Sequence, residues 1–265
     1  MRLRFTSDLE ASPAEDDRLF VMFHGYGNDE SEMVRIIDAV YARKDGLGPD
    51  ATPHAAQSPA ASPASVVSPG TAPVSAALLS ATPLDATPLD ATPLDVTPLD
   101  ATPLDATPNY LSFRGTYGRP YMGGHYWYPD GCDVEERQRE CALVGDAVAQ
   151  LLAAPTFASR RKVLVGFSQG GYLSYRLVKA YPDLFDTAIL LSPSFKGEEN
   201  ATLESPTRFF LAYGAKDHTI PAADQRNAHA VLEGAGYLTY RSYPGMGHAI
   251  CDQEIADISV FLRGL

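Results

Sequence analysis

A chain of 265 residues, of which 45% are hydrophobic and 20% charged, is long enough for one large domain with a full core. Its formal net charge of −12 argues against nucleic acid as a partner, because phosphate binding needs a basic face. The acidic surface also opposes binding to anionic membranes, and no apolar run reaches the roughly 18 residues needed to span a bilayer.

Strand and helix patterns alternate along most of the chain. Short apolar runs predict strands at 18–24, 110–113, 162–167, 187–191, 207–213 and 237–243. Apolar residues recurring every three or four positions predict helices at 29–43, 134–153, 169–180, 222–233 and 251–262. This alternation predicts an α/β fold with a mostly parallel central sheet and helices on both faces. In such a sheet the functional groups are expected at the carboxyl ends of the strands.

Residues 49–108 interrupt this pattern with a segment of mainly Ala, Pro, Ser and Thr, whose second half repeats the pentapeptide ATPLD. Regular prolines break helices and sheet ladders, and the segment has too little apolar surface to offset its ordering entropy. We therefore expect a disordered insert, either without a catalytic role or acting as a tether or partner-binding arm. Residues 1–48 and 109–265 are then expected to form a single domain.

The strand at 162–167 runs directly into Gly166-Phe167-Ser168-Gln169-Gly170, and a helix follows. A G-x-S-x-G motif between a strand and a helix is typical of the nucleophile elbow of α/β-hydrolases. The serine occupies a strained turn that lifts its hydroxyl above the sheet, and the flanking glycines avoid collisions there. The motif therefore predicts an α/β-hydrolase fold with Ser168 as the nucleophile.

A serine hydroxyl needs a base to take its proton, and in this fold an acid and then a histidine follow the serine along the chain. Asp217 comes just after the strand at 207–213, and His248 lies in a glycine-rich loop after the strand at 237–243. We predict Asp217 as the acid and His248 as the base. His218 is an alternative base. The alternative acids are Asp183, Asp186, Asp224 and Asp252, each of which has a simpler role as a helix cap or solvated charge.

Acyl transfer also needs N–H groups that stabilise a developing oxyanion. We predict that the backbone N–H groups of Tyr26 and Gln169 form this oxyanion hole, since glycines on both sides of Tyr26 allow close approach. Aromatic residues cluster at 117–128, where they either line the substrate pocket or pack onto the sheet edge. The predicted substrate-binding residues are His24, Gly25, His125, Trp127 and Met246.

The chain is similar to the phospholipase/carboxylesterase family, which includes acyl-protein thioesterases and small bacterial carboxylesterases. The resemblance is carried by HGYGNDE at 24–30, LSFRGTYGRPYMGGHYWYP at 111–129, GFSQGG at 166–171, GAKDHTIP at 214–221 and YPGMGHAI at 243–250. It implies hydrolysis of carboxylic esters or thioesters without a cofactor or a metal. The implied roles are Ser168, Asp217 and His248 as the triad, with Tyr26 and Gln169 as oxyanion donors. The first two stretches look more like the bacterial carboxylesterase branch.

The expected function is therefore a serine carboxylesterase that cleaves small-molecule esters with small or medium acyl groups. Alternatives are a lysophospholipase or acyl-protein thioesterase, an acyltransferase that uses the same residues, and a non-catalytic binding module with the repeat as its arm. The N-terminus lacks the apolar region of a secretory signal, and the cysteines show no zinc-binding spacing. We expect a cytoplasmic protein with reduced thiols.

Overall fold

The computed structural model describes residues 3–9, 17–42 and 107–265. Their strands are β1 (Arg4–Asp8), β2 (Arg18–Phe23), β3 (Asn109–Arg114), β4 (Tyr117–Gly118), β5 (His125–Tyr126), β6 (Arg161–Phe167), β7 (Thr187–Leu191), β8 (Arg208–Gly214) and β9 (Leu238–Tyr243). Their helices are α1 (Glu30–Ala42), α2 (Val134–Leu152), α3 (Pro155–Ala158), α4 (Gln169–Ala180), α5 (Ala222–Gly234) and α6 (Asp252–Arg263).

Seven of these strands form one sheet in the order β1-β3-β2-β6-β7-β8-β9. β1 pairs antiparallel with β3, and every other neighbouring pair is parallel. β4 and β5 form a separate antiparallel hairpin. The predicted α/β fold with a mostly parallel sheet is therefore confirmed, and the carboxyl ends of β2, β6, β8 and β9 share one edge of the sheet.

Two hydrophobic cores cover the two faces of the sheet, because successive side chains of a strand point to opposite faces. In β2, Leu19, Val21 and Phe23 pack into the core that contains residues of α2, α4 and α5. Phe20 and Met22 pack on the other face, with residues of α1 and α6. All five side chains are fully buried, which explains why this strand reads as a continuous apolar run.

The strands β1, β4 and β5 and the helix α3 were not predicted from the sequence. β1 is an edge strand whose five residues are all exposed, so its sequence carries no buried face that a hydrophobic pattern would reveal. β4 and β5 are two residues each, and α3 is four, which is too short for a periodic signal. The predicted helices and longer strands all form, and their ends differ from the predicted ones by at most one residue.

The predicted insert at 49–108 lies outside the described residues, apart from its last two positions. Its assignment as a disordered segment, and the division of the chain into 1–48, 49–108 and 109–265, therefore stay predictions. In the part of the chain that the structure describes, no helix has the length and hydrophobicity needed to cross a membrane.

One buried carboxylate anchors the loop that follows β7. Glu198 is only 2% exposed and accepts hydrogen bonds from Arg176 (2.6 Å), Lys179 (2.7 Å) and the hydroxyl groups of Tyr172 (2.8 Å) and Tyr175 (3.1 Å). Burial alone would raise its pKa, but the hydrogen bonds from Lys179 and Arg176 outweigh this effect and lower the pKa to about 2. The loop is thus tied to α4 by charged and polar contacts.

A second buried carboxyl group, Glu254, lies in the first turn of α6. Its side chain is fully buried, and this burial raises its pKa to about 8. The interaction of the carboxyl group with the backbone of Cys251 lowers the pKa, but it offsets the effect of burial only in part. Folded Glu254 therefore keeps its proton at neutral pH, whereas the ordinary pKa of a glutamate is 4.5. The unfolded chain loses this proton first, so the contribution of Glu254 to stability is complete below pH 4.5 and is lost as the pH rises toward 8.

We expect Glu254→Gln to flatten the decline of stability between pH 5 and pH 8, because a single such group contributes a slope of up to about 1.4 kcal/mol per pH unit. Urea titrations at pH 5, 6.5 and 8 measure the free energy of unfolding. Glu135→Gln, at an exposed position in α2, is the matched control and should keep the wild-type slope. An unchanged slope in Glu254→Gln would contradict a neutral buried carboxyl group.

Candidate active site

Ser168 joins β6 to α4 in a backbone conformation that L-residues rarely adopt, with φ 53° and ψ −114°. Two glycines make this turn possible. A Cβ atom on Gly166 would lie 2.2 Å from the carbonyl oxygen of Gly170, and one on Gly170 would lie 2.0 Å from the carbonyl oxygen of Phe23. The sharp turn predicted from the G-x-S-x-G motif is therefore present, and it holds Ser168 at the carboxyl edge of the sheet.

The three predicted triad side chains meet at this edge. His248 Nε2 lies 2.9 Å from Ser168 Oγ, and His248 Nδ1 lies 2.8 Å from Asp217 Oδ2. The other carboxylate oxygen, Asp217 Oδ1, accepts the backbone N–H groups of Thr219 (2.8 Å) and Ile220 (3.0 Å). The Asp217 side chain is fully buried, whereas that of His248 is 19% exposed. The arrangement allows a proton to pass from the serine to a histidine whose orientation is fixed by the carboxylate.

The loops that carry Asp217 and His248 interlock by close backbone contact. A Cβ atom on Gly214, at the end of β8, would lie 2.2 Å from the carbonyl oxygen of Met246. The same oxygen accepts the N–H of Lys216 at 2.9 Å. The His248 ring also packs against the ring of Phe167, with centroids 5.1 Å apart. His218, the alternative base considered from the sequence, is exposed.

The loop after β2 approaches the nucleophile directly. A Cβ atom on Gly25 would lie 3.6 Å from Ser168 Cβ and 2.7 Å from the ring of Phe167, so only glycine fits here. Within the described residues, the N–H groups of Tyr26 and Gln169 donate to no protein acceptor. Gln169 is also the first residue of α4, where N–H groups have no partner inside the helix. Both predicted oxyanion donors are thus available.

Glu32, in the first turn of α1, fixes the shape of this loop and was not singled out from the sequence. Its Oε2 accepts the N–H of Gly25 at 3.1 Å, and its Oε1 accepts a short hydrogen bond from the side-chain amide of Asn28. Burial raises the pKa of the Glu32 carboxyl. One side chain therefore ties both ends of the Gly25–Asn28 turn, with Tyr26 between them. No motif predicts this role, because it depends on a seven-residue separation across a turn and a helix start.

The side chain of Gln169 binds the aromatic segment, a second contact that the sequence did not predict. Its Oε1 accepts the N–H of Trp127 (3.0 Å), and its Nε2 donates to the carbonyl oxygen of Tyr128 (3.1 Å). The residue after the nucleophile therefore also positions the chain that leads into α2. The Trp127 indole N–H donates to the carbonyl oxygen of His24 at 2.8 Å.

Three of the predicted substrate-binding side chains lie in the core instead of on the surface of the site. His24 is fully buried, Trp127 is 1% exposed and Met246 is 6% exposed. Burial lowers the pKa of His24 to about 4, so its ring is neutral at pH 7. His24 Nε2 accepts the N–H of Gly115 (2.9 Å), which leaves the proton on Nδ1 to donate to the carbonyl oxygen of Gly25 (2.6 Å). Trp127 and Met246 thus belong to the hydrophobic cores, and both ring nitrogens of His24 are already hydrogen-bonded. These three side chains support the site structurally.

The remaining predicted substrate residue, His125, is half-buried in β5. Its backbone forms two hydrogen bonds with the loop after β2, from Gly27 N–H (2.8 Å) and to the carbonyl oxygen of Asn28 (2.7 Å). Its ring lines a cavity of about 330 Å³ together with Arg4, Arg114, Gly115, Thr116 and Gly118. None of the three triad residues lines this cavity, so a role of the His125 side chain in substrate binding stays a prediction.

The strained turn at Ser168 has a measurable cost. A non-glycine residue in such a conformation lowers the free energy of unfolding by roughly 1–3 kcal/mol. We expect Ser168→Gly to have a higher free energy of unfolding than Ser168→Ala, because glycine adopts this backbone without strain whereas alanine does not. Both variants lack the hydroxyl group, so denaturant titration of the pair isolates the backbone contribution. Equal stability of the two variants would show that the turn is not strained.

Comparison with known proteins relates the part of the chain that carries Ser168, Asp217 and His248 to one family. The family described as Phospholipase/Carboxylesterase matches residues 126–265. Acyl-protein thioesterase 1 from Gibberella zeae is 30% identical over an alignment 113 residues long, which covers 39% of this chain and 47% of that protein. The chain therefore aligns with about half the length of this relative.

Several solved structures share the fold of the described residues. Esterase PE8 superposes with a TM-score of 0.65 at 17% identity, covering 100% of this chain and 99% of that one. A carboxylesterase from Mesorhizobium loti gives 0.62 at 16% identity, covering 98% and 99%. The Bacillus cereus carboxylesterase gives 0.63 at 14% identity, covering 98% and 92%. These structures show the shared fold alone. Because the family match spans more than half of its residues, the chain belongs to the phospholipase/carboxylesterase family.

Proposed function

We propose that this member of an esterase and thioesterase family is a serine esterase. It hydrolyses carboxylic esters of small or medium acyl groups through an acyl-enzyme on Ser168. The single observation that supports this most strongly is the unbroken hydrogen-bonded path from Ser168 Oγ through His248 to Asp217. A serine, a base and an orienting acid in this geometry are the groups that nucleophilic acyl transfer requires.

In the first half-reaction, Ser168 Oγ attacks the carbonyl carbon of the ester while His248 Nε2 takes the hydroxyl proton. The carbonyl oxygen becomes an oxyanion, which the N–H groups of Tyr26 and Gln169 stabilise. When the tetrahedral intermediate collapses, the bond to the alcohol oxygen breaks and His248 gives its proton to the departing alcohol. The acyl group remains on Ser168.

In the second half-reaction, water attacks the acyl carbon, and His248 takes a proton from it and returns one to Ser168. Asp217 accepts the N–H of His248 Nδ1 throughout, so the ring keeps Nε2 aimed at the nucleophile and the imidazolium is stabilised. Buried hydrogen bonds from Thr219 and Ile220 keep Asp217 in its orientation. The sequence of steps uses no metal and no cofactor.

A second candidate within the same chemistry is an acyl-protein thioesterase or a lysophospholipase. It is favoured by one observation, the 30% identity with the thioesterase of Gibberella zeae over part of its length. These activities require a channel for a long acyl chain. Chain-length preference therefore separates the two candidates. A cytoplasmic location and small-molecule esters as substrates are further parts of the proposal.

The proposal is tested with p-nitrophenyl esters from acetate to palmitate. We expect Ser168→Ala and His248→Ala to lose at least about a thousandfold in kcat, since each removes a member of the triad. His218→Ala, which changes the exposed neighbouring histidine, should retain wild-type turnover. An optimum at short or medium chains supports the carboxylesterase, and an optimum at palmitate supports the thioesterase-like alternative. Equal rates in wild type and Ser168→Ala would overturn the serine mechanism.

We also expect Glu32→Ala to lower kcat for these esters by about tenfold to a hundredfold with little change in KM, because a distorted Gly25–Asn28 turn misdirects one oxyanion donor. Glu32→Gln keeps one acceptor oxygen and should lose less. Asp38→Ala, at an exposed position of the same helix, is the matched control. A higher KM with unchanged kcat, or an equal decrease of kcat in Asp38→Ala, would speak against this positioning role.

A further inference from the structure

The turn between β4 and β5 (residues 119–124) packs closely against the loop that carries the candidate oxyanion donor Tyr26. A Cβ atom on Gly124 would lie 1.9 Å from the carbonyl oxygen of Gly27, so only glycine permits this approach. Within the turn, the N–H of Arg119 donates to the carbonyl oxygen of Gly124 at 3.0 Å. Gly124 thus packs directly on Gly27, and its hydrogen bond with Arg119 places Arg119 beside Gly27.

The guanidinium group of Arg119 lies over the ring of Tyr26, 5.1 Å from its centroid. Its Nη1 would be 2.5 Å from a Cβ atom on Gly27, so the group also covers the Gly27 backbone. Its Nη2 contacts the sulfur of Met122 at 3.2 Å, and a thioether is a weak acceptor. Tyr26 is 41% exposed, so its ring and the guanidinium group above it lie at the protein surface.

The acidic groups of this corner are already engaged elsewhere. Asp29 accepts hydrogen bonds from Ser31, and Glu30 forms a bidentate ion pair with Arg114. Glu32 accepts hydrogen bonds from Gly25 and Asn28, the two ends of the Gly25–Asn28 turn. Within the ranges that the structure describes, Arg119 has no carboxylate inside ion-pair distance. A cation thus stands uncompensated beside the candidate oxyanion hole.

We infer that Arg119 binds a carboxylate of the substrate, so that the preferred esters carry one negative charge on the acyl or the alcohol portion. A planar guanidinium forms two parallel hydrogen bonds with a carboxylate, and one cation matches one such charge. A Cβ atom on Gly25 would lie 3.6 Å from Ser168 Cβ, and Gly25 and Gly27 are at most about 7 Å apart along the chain, so a short substrate reaches both Ser168 and Arg119. This inference rests on the proposed function.

The test compares matched charged and neutral esters. Mono-p-nitrophenyl glutarate and p-nitrophenyl pentanoate differ in the acyl portion, while 4-carboxyphenyl butyrate and phenyl butyrate differ in the alcohol portion. Arg119→Gln should lower kcat/KM for the charged member of one pair by about tenfold or more, equivalent to about 1.4 kcal/mol. It should change the neutral member by less than about threefold, which also shows that the variant is folded and active.

Two further variants separate a binding role from a general effect of charge. Arg119→Lys keeps the charge but loses the planar fork, so it should fall between wild type and Arg119→Gln. Arg226→Gln removes one exposed positive charge from α5 and should resemble wild type with all four esters. The wild-type preference for the charged ester should also weaken as salt is added.

The outcomes are distinct for the two levels of the account. If Ser168-dependent hydrolysis occurs but Arg119→Gln changes both members of each pair equally, or neither, the carboxylate site is refuted while the esterase stands. If wild type and Ser168→Ala hydrolyse all four esters at the same rate, the proposed function fails and this inference fails with it.

Discussion

The site depends on the contact between the Gly170 backbone and the carbonyl group of Phe23, which leaves 2.0 Å for any added Cβ atom. This contact brings the start of α4 against the end of β2. It forces Ser168 into its strained turn and places the first N–H groups of the helix beside the loop that carries Tyr26. The nucleophile and both candidate oxyanion donors therefore occupy one rigid unit, because neighbouring parallel strands hold it from below.

The acid and the base are positioned by a second backbone contact, between Gly214 and Met246. The loops after β8 and β9 fit together only at this glycine, which aligns His248 between Asp217 and Ser168. Side-chain hydrogen bonds fix two further segments. Glu32 binds the Gly25–Asn28 turn, and Gln169 binds the backbone at Trp127. Strain at the nucleophile persists because these surrounding contacts fix the backbone on every side.

The sequence was sufficient to predict the fold and the meeting of Ser168, Asp217 and His248, since each lies just beyond the carboxyl end of a predicted strand of one parallel sheet. It was not sufficient for the surroundings. Trp127 and His24 were predicted as substrate contacts from their residue types and loop position, yet both are buried, and only tertiary packing decides this. Glu32 acts across a turn between two elements, a relation that no periodicity or short motif encodes.

The central claim is that the acyl group passes through Ser168, and peptide mass spectrometry of the enzyme quenched during hydrolysis of p-nitrophenyl butyrate tests it most directly. The account predicts one butyryl group on the peptide that contains Ser168, with its site assigned to that serine by fragmentation. The group should be absent from Ser168→Ala treated in the same way. Butyrylation of another residue in the wild type, together with equal labelling of Ser168→Ala, would contradict the account.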